Sequence, residues 1–263
     1  MTQVQTPVQT PAQTPVQTRR EKQREATYDE IVSASRALLA EGAELSLRAV
    51  AGKMGMTAPA LYRYVASYQE LVDMVAYEID KAATARFAEA ADRLPEDDYA
   101  GRLVASATEF RMWALGNPRE FGLVFANPIA DAGCIRREEL LTVASSGHLM
   151  TGQMLALWQH NHHPIPSLDE LPASVREAVI DPVIPAKVDE LALEDRGLAW
   201  LYMQGWTALY GVVALEVFGH MDPRIIESGE MFVTAVSGFA PKIGLTDDTE
   251  RLERIMRERI ARG

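Results

Sequence analysis

Apolar positions recur at helical spacing along nearly the whole chain, and Gly, Pro, Asn or Asp separate the runs. The spacing of three and four residues is typical of amphipathic α-helices that bury one face. It predicts an all-α fold. Besides two short helices between Ser46 and Leu71, the expected helices are 23–40, 68–91, 98–115, 119–125, 135–160, 173–179, 191–220, 224–242 and 247–262.

The stretch Ser46–Leu71 predicts two short helices joined by a tight turn. Ser46 is a favourable N-cap, and Gly55 follows the first apolar run where a left-handed residue ends many helices. Thr57 is expected to cap the second helix, with Pro59 tolerated in its first turn. This is the pattern of a helix-turn-helix, whose second helix enters the DNA major groove. An ordinary helical hairpin inside an α-domain is the alternative.

The second helix has a slim N-terminal end, which favours close approach to base edges, and polar side chains around it supply donors for bases and phosphates. The candidate DNA-binding residues are Arg48, Lys53, Thr57, Ala58, Pro59, Ala60, Tyr62, Arg63, Tyr64 and Tyr68. Just before the first helix, Arg19, Arg20, Lys22 and Arg24 form a basic arm that could lie along the backbone or reach the minor groove. A solvated helix start is the alternative for that arm.

The segment AVAGKMGMTAPALYRYVASYQELV resembles the DNA-binding signature of the TetR family of bacterial transcriptional regulators. Leu61-Tyr62-Arg63-Tyr64-Val65 occupies the family's Leu-Tyr-x-His-Phe/Val position. Tyr64 stands where the family usually has His, and Tyr68 stands where it usually has Lys. A Tyr hydroxyl donates without charge, so phosphate contacts there should be weaker and less dependent on salt.

Two later segments carry the same resemblance. FRMWALGNPREFGLVF is similar to the family's sixth-helix region, and GWTALYGVVALEVFGH to a subgroup with a Trp-His-Gly signature, in which Tyr210 replaces the His. The uncharged, Pro-containing repeats of residues 1–18 predict a disordered tail. The resemblance implies a DNA-binding domain at 19–68 and a helical ligand-binding and dimerisation domain at 69–263. It also implies a homodimer, formed by the last apolar helices, that binds a palindromic operator in double-stranded DNA.

Charge is distributed unevenly over the 263 residues, whose formal net charge is −11. Residues 19–68 carry eight Lys or Arg and six Asp or Glu, whereas the rest carries eighteen and thirty-one. The acidic excess therefore lies outside the proposed DNA-binding part, which keeps the body off DNA. The single cysteine, Cys134, excludes an internal disulfide and fits a reducing cytoplasm. The QTPV-type repeats before residue 19 lack a secretory pattern.

Nineteen uncharged residues between Arg196 and Glu216 are long enough to raise the question of a membrane span. Gln204, Gly205 and Thr207 interrupt the run, and its flanks are acidic rather than basic. The pattern instead favours a helix buried on every face, and no membrane association is expected.

The body is rich in aromatic and Met side chains that could converge around an apolar or aromatic effector. The candidate ligand-binding residues are Phe110, Trp113, Phe125, Met150, Met154, Trp158, Trp200, Met203 and Gln204. Most such residues must simply form the core. The expected function is a repressor that a small molecule releases from its operator, although an activator or a regulator working through protein contacts alone stays open.

The cluster His160-Asn161-His162-His163, with Asp169 and Glu170 nearby, is the one candidate for metal chemistry. It lies at a helix end and lacks a second set of ligands at a defined spacing. An all-α metal-dependent enzyme is therefore the alternative function. No nucleotide, zinc-hydrolase or nucleophile-elbow motif is present, so we expect no cofactor, no metal site and no catalytic residues.

Overall fold

The computed structural model describes residues 18–126, 146–181 and 190–263, and these residues form helices and turns without any β-strand. The predicted all-α class is confirmed. The α-helices within these ranges are α1 Arg19–Glu41, α2 Leu47–Lys53, α3 Ala58–Leu61, α4 Tyr68–Asp92, α5 Tyr99–Gly116, α6 Pro118–Phe125, α7 Ser146–Asn161, α8 Ala173–Ile180, α9 Gly197–Val217, α10 Pro223–Ser228, α11 Glu230–Ser237 and α12 Thr249–Ala261. The predicted disordered tail up to residue 17, the turn expected at 127–133, Cys134 and the first part of the helix expected at 135–160 lie outside the described residues.

Side-chain caps set several helix starts. Thr18 and Glu21 form a capping box, so α1 begins four residues earlier than the predicted Gln23. The hydroxyl of Ser67 accepts from the Glu70 amide at 3.1 Å, and the Asp98 carboxylate accepts from the Gly101 amide at 2.9 Å. These bonds satisfy amides that have no partner inside the helix.

The helix-turn-helix forms as predicted at α2 and α3, with one correction. Ser46 accepts a hydrogen bond from the Ala49 amide at 3.2 Å, and Gly55 adopts a φ of 68°. The side chain of Thr57, however, makes no capping bond, and α3 is only four residues long. The chain leaves α3 in a turn in which the Leu61 carbonyl accepts from the Tyr64 and Val65 amides.

One continuous core joins the helix-turn-helix to the larger body. Ile31 of α1, Val50 of α2 and Leu61 of α3 are fully buried, together with Leu71 and Val75 at the start of α4. The rest of α4 packs on α5, α6 and α7. The long helix α4 therefore belongs to both parts.

The C-terminal helices differ from their predicted bounds. Two 3₁₀ turns interrupt the expected runs, Leu193–Asp195 before α9 and Ala240–Ile243 after α11. The single helix predicted at 224–242 is wrong, because Gly229 takes a φ of 69° and separates α10 from α11. A left-handed residue cannot continue a right-handed helix, and glycine adopts that conformation at little cost.

Within a single chain, α9 is not buried on every face. Leu198, Leu209 and Val213 are buried, but Met203 and Leu215 expose about half of their side chains. No helix in the described ranges is both long and apolar enough to cross a membrane. Leu215 belongs to an exposed apolar stripe of α9 that faces away from the core of this chain, whereas Met203, although partly exposed, lines a cavity in the body.

Candidate DNA-binding surface and ligand cavity

The helix-turn-helix presents one exposed face. Tyr62 and Tyr68 expose about half of their side chains, and Arg63 is also exposed. The candidate DNA-binding residues that are exposed are Arg48, Lys53, Thr57, Pro59, Tyr62, Arg63 and Tyr68, whereas Ala58, Ala60 and Tyr64 are partly buried. The short, Ala-containing α3 keeps this face slim.

Tyr64 is held against α1 rather than projecting freely. Its ring meets that of Tyr28 edge to face, with centroids 6.0 Å apart. The Tyr28 hydroxyl in turn accepts from Arg24 at 2.9 Å. This chain of contacts connects the basic arm to the position where the TetR signature usually has His, so the arm and α3 are positioned together.

Lys53 has an ion-pair partner within the chain. Its ammonium group pairs with the Glu41 carboxylate at the end of α1. The pair is exposed, so its contribution to stability is small and a phosphate group could compete for the Lys. Whether Lys53 contacts DNA stays a prediction.

Two arginines tie α6 to α1. The Arg119 guanidinium donates to the Leu39 carbonyl at 3.0 Å and to that of Ala40 at 3.2 Å, next to the left-handed Gly42 that ends α1. Arg36 of α1 pairs with Glu120 of α6. Carbonyls at a helix C-terminus lack partners within the helix, and a cation there also complements the helix dipole.

A cavity of about 870 Å³ lies in the body. Its wall is contributed by α4, α5, α6, α7, α9 and α12, with further residues from α8, α11 and the turn that follows α11. Most of the lining is apolar and includes Leu123, Phe125, Trp206, Phe239 and Met256. A pocket of this size and character is typical of a small-molecule site.

The predicted ligand-binding residues separate into two groups. Phe125, Met150, Met154 and Met203 line the cavity. Phe110 and Trp113 are instead buried in the aromatic core against Phe87. The other three also lie outside the lining: Trp158 donates to the His163 carbonyl, Trp200 packs beside Leu171, and Gln204 accepts from Lys242 at 2.7 Å. Ligand contact by any of them stays a prediction.

Tyr210 connects the cavity wall to α6. Its hydroxyl donates to the carbonyl of Phe125 at 3.1 Å, and its ring stacks on Trp206 with centroids 5.8 Å apart. The sequence alone indicates only that Tyr210 replaces the His of a family subgroup. The structure gives this side chain a place in the wall and a bond to the last residue of α6.

The polar part of the wall is not among the residues that the sequence pattern predicts. Asp73, Tyr77 and Asp80 line the cavity from one face of α4. The carboxylate oxygens of Asp80 lie 3.2 and 3.4 Å from the Ser146 amide, which donates to them. Burial raises the pKa of Asp80 above its ordinary value, against the opposing effect of hydrogen bonding to the Ser146 hydroxyl and amide and to the Thr84 hydroxyl. In the sequence, the spacing of these three residues by four and three positions could have indicated that they share one face of a helix.

The histidine cluster does not assemble a metal site. The His160 ring lies tilted against that of Tyr99 with centroids 4.8 Å apart, and His162 meets Trp158 edge to face. His163 is buried, with its Nδ1 2.8 Å from the Asn161 side-chain oxygen, and burial lowers its pKa. Within residues 18–126, 146–181 and 190–263, no three His, Cys, Asp or Glu side chains are grouped for a metal ion.

Comparison with known proteins agrees with this architecture. Residues 103–239 match the family model described as the tetracyclin repressor-like C-terminal domain. The HTH-type transcriptional regulators Rv1816 of Mycobacterium tuberculosis and Mb1846 of Mycobacterium bovis are each 35% identical over 95 residues. That match covers 36% of this chain and 41% of each relative. These relatives are regulators rather than enzymes.

Two solved structures share the fold. RolR, in complex with its ligand resorcinol, aligns with a TM-score of 0.56 at 13% identity, over 89% of this chain and 95% of its own. The putative regulatory protein SCO4313 aligns with a TM-score of 0.53 at 23% identity, over 84% and 98%. Because the family model spans more than half of the chain, the chain belongs to the TetR family of transcriptional regulators.

Proposed function

We propose that this regulator is a dimeric repressor that binds a palindromic operator and is released by a small apolar or aromatic effector. One observation carries the proposal. The wall of the cavity includes α4 and α6, and these two helices also pack on α1, the helix that precedes the helix-turn-helix. A molecule in the cavity therefore touches the elements that support the DNA-binding surface.

The DNA-binding part would present α3 to the major groove. Arg63 supplies a charged fork for a guanine edge or a phosphate, and Tyr62 and Tyr68 supply neutral donors. Thr57 to Ala60 form the end of α3 that would lie closest to the bases, while Arg48 and Lys53 would contact the backbone. The basic residues Arg19, Arg20, Lys22 and Arg24 form the first turns of α1 rather than an arm before it, and they would follow the adjacent phosphates from there.

The dimer would form through the exposed apolar stripe of α9 and its neighbours. Leu215 and Phe218 at the end of α9, Ile225 of α10 and Met231 of α11 each expose two-fifths or more of their side chains. A Cβ atom added at Gly211 of α9 would meet no other atom within 4 Å. A second helix could thus approach closely there. Two-fold pairing would place two α3 helices in successive grooves about 34 Å apart.

The effector would occupy the apolar wall beside Phe125, Trp206 and Tyr210. The aromatic ligand of RolR shows that this fold accommodates such a molecule in one of its members. A volume of about 870 Å³ leaves room for a larger ligand here. Release requires that the effector bind more tightly to a conformation whose α3 spacing no longer fits the operator.

The first test is binding of the purified protein to DNA from around its own gene, at two salt concentrations. We expect specific binding that weakens with salt. In Arg63→Ala the slope of log K against log salt should become shallower by about 0.9 for each phosphate that Arg63 neutralises. Arg93→Ala is the matched control, since Arg93 pairs with Glu89 near the far end of α4. Equal operator affinity in the Arg63 variant and wild type would refute the assignment of α3.

A second test addresses the dimer. Leu215→Glu places a charge in the exposed stripe of α9 and should convert the dimer to a monomer of 29.1 kDa by light scattering. Operator affinity should then fall steeply, because a single α3 reads only half of a palindrome. A wild-type protein that is monomeric at micromolar concentration would contradict this part of the proposal.

A further inference from the structure

We propose that the effector of this cavity is an organic cation: an amine, protonated at neutral pH and attached to an apolar body, whose ammonium group lies against Asp80. This rests on the proposed function, because it names the chemical class of ligand for the same cavity. It names Asp80 as the residue that binds the polar group of the ligand, and it assigns a positive charge to that group.

The charged side chains of the cavity wall are acidic. Among the described lining residues the ionisable groups are Asp73, Asp80, Asp181, His148 and three tyrosines, and there is no Lys or Arg. Lys81 follows Asp80 in the sequence but pairs with Glu78 and is not part of the lining. A ligand carboxylate would meet like charge in a partly apolar surrounding, where repulsion is stronger than in water.

Asp80 lacks a cationic partner within the described part of the chain. The Ser146 amide donates to both carboxylate oxygens, and the hydroxyls of Ser146 and Thr84 also lower its pKa as neutral hydrogen-bond donors, but none of these groups carries a positive charge. Each oxygen can accept further bonds. A partly buried carboxylate without a counter-charge is costly, and an ammonium group would offset that cost with a charge-assisted hydrogen bond.

A second, independent feature of the wall also indicates a polar ligand group. Tyr202 lines the cavity and is only 6% exposed, yet its hydroxyl has no hydrogen-bond partner among the described residues. Burial, together with the nearby Glu190 carboxylate, raises its pKa, so the hydroxyl stays neutral. The Ser237 hydroxyl in the same wall is likewise buried without a described partner. Buried polar atoms are normally satisfied, so these hydroxyls are suited to a ligand that donates and accepts.

The position of Asp80 gives the cation a direct route to the DNA-binding part. Asp73, Tyr77 and Asp80 lie on one face of α4, the helix that begins directly after the helix-turn-helix. The Asp80 carboxylate also links α4 to α7 through the Ser146 amide. An ammonium group at Asp80 would compete for that carboxylate and so act on the contact between α4 and α7.

The test compares three molecules with one apolar body and different charge: 4-phenylbutylamine, 4-phenylbutanol and 4-phenylbutyrate. Their affinities for the full chain are measured at neutral pH by calorimetry. We expect the amine to bind at least tenfold more tightly than the carboxylate, with the alcohol between them. In Asp80→Asn the advantage of the amine over the alcohol should disappear, while affinity for the alcohol remains and demonstrates an intact cavity. Asp97→Asn removes an exposed carboxylate outside the cavity and should leave the order unchanged.

Three results would overturn the inference: equal or tighter binding of the carboxylate, an unchanged preference for the amine in Asp80→Asn, or no binding of any of the three molecules. Operator binding of the same preparation separates the two proposals. If the protein binds its operator but shows no preference for the amine, only this inference fails. If the amine is preferred but no operator is bound, the proposed repressor function fails and the cation site stands.

Discussion

The guanidinium of Arg36 donates to the carboxylate of Glu120 through two hydrogen bonds, Nε to Oε1 at 2.7 Å and Nη2 to Oε2 at 3.2 Å. Arg36 lies on α1 and Glu120 lies on α6, whose last residue, Phe125, lines the cavity. The Glu120 side chain is 12% exposed and the Arg36 side chain 40%, so the pair is partly shielded on the Glu120 side. It is a two-point contact between the DNA-binding helices and the cavity wall.

Breaking this pair should weaken the effect of the ligand on DNA binding more than DNA binding itself. In Arg36→Ala we expect operator affinity without effector to remain within a few-fold of wild type. The factor by which saturating effector weakens the operator complex should shrink about two- to fivefold, since pairs of this kind contribute ~0.5–1 kcal/mol. Titrations of the operator with and without effector give both quantities.

Glu120→Gln and the double variant complete a double-mutant cycle. The quantity compared is the factor by which saturating effector weakens the operator complex. If the ion pair carries this effect, the double variant should show no greater reduction than either single one. Lys81→Ala breaks an exposed pair within α4 and is the control. Additive reductions in the cycle would show that the two side chains act separately and that the pair transmits nothing.

Tyr210→Phe tests the hydrogen bond between the cavity wall and α6. It removes the bond to the Phe125 carbonyl but leaves the ring stacked on Trp206. The free energy of unfolding should fall by ~0.5–1.5 kcal/mol, and the effector concentration for half-release should change several-fold. Tyr202→Phe is a matched control, because the Tyr202 hydroxyl has no described partner, and that variant should lose no stability. Equal losses in urea unfolding for the two variants would contradict the role given to Tyr210.

Features set by neighbouring residues could be predicted from the sequence. Ser46 as a cap and Gly55 in a left-handed turn depend on interactions within a few residues. The sequence does not indicate that α1 begins at Arg19, because Thr18 of the Thr18–Glu21 capping box belongs to the low-complexity Gln-Thr-Pro repeats. The break at Gly229 was missed because glycine also occurs inside helices, and the residue type alone does not fix its φ.

The site could be predicted only in part, because its residues meet through tertiary packing. In the sequence, the aromatic residues Phe110 and Trp113 cannot be distinguished from Phe125. The packing of α5 against α4 buries both of them in the core, against Phe87. Lys53 meets Glu41 only because α1 ends beside α2. Asp80 has the sequence context of a solvated charge on a long helix, and only the packing of α7 against α4 covers it.

A buried ion pair connects α5 to the C-terminal helices, and removing only one of its two charges should be costly. Arg111 of α5 donates to Glu216 of α9 at 2.6 Å and to the Ile226 carbonyl of α10, and its guanidinium lies 5.4 Å from the centre of the Phe232 ring. Both charged residues are at most 2% exposed. Removing one charge leaves the other buried and uncompensated.

Glu216→Gln should therefore lower the free energy of unfolding by ~3–5 kcal/mol in urea denaturation. Because α9 and α10 carry the proposed dimer surface, the dimer should also dissociate at a higher protein concentration. The double variant Arg111→Met with Glu216→Leu fills a similar volume without charge and should recover most of the stability. A loss below ~1 kcal/mol in the single variant would show that water reaches this pair in solution.

Asp80 should make stability depend on pH in a direction opposite to that of most carboxylates. Its pKa is raised in the folded state by burial, so the native protein binds a proton more readily than the unfolded chain. The cost of the buried charge is therefore fully present above the folded pKa and is relieved as pH falls toward the unfolded value of 3.8.

Asp80→Asn removes that charge and keeps an oxygen that can accept from the Ser146 amide. At neutral pH the variant should be more stable than wild type by ~1 kcal/mol, a rise in Tm of about 2–4 °C for a chain of this size. The difference should narrow as pH is lowered through the folded pKa of Asp80. Thermal unfolding from about pH 7.5 to about pH 4.5 measures it, and Asp97→Asn, which alters an exposed loop, should show no such trend. A variant less stable than wild type at neutral pH would mean that the carboxylate already has a compensating cation in the unliganded protein, in which case it is not available to an amine.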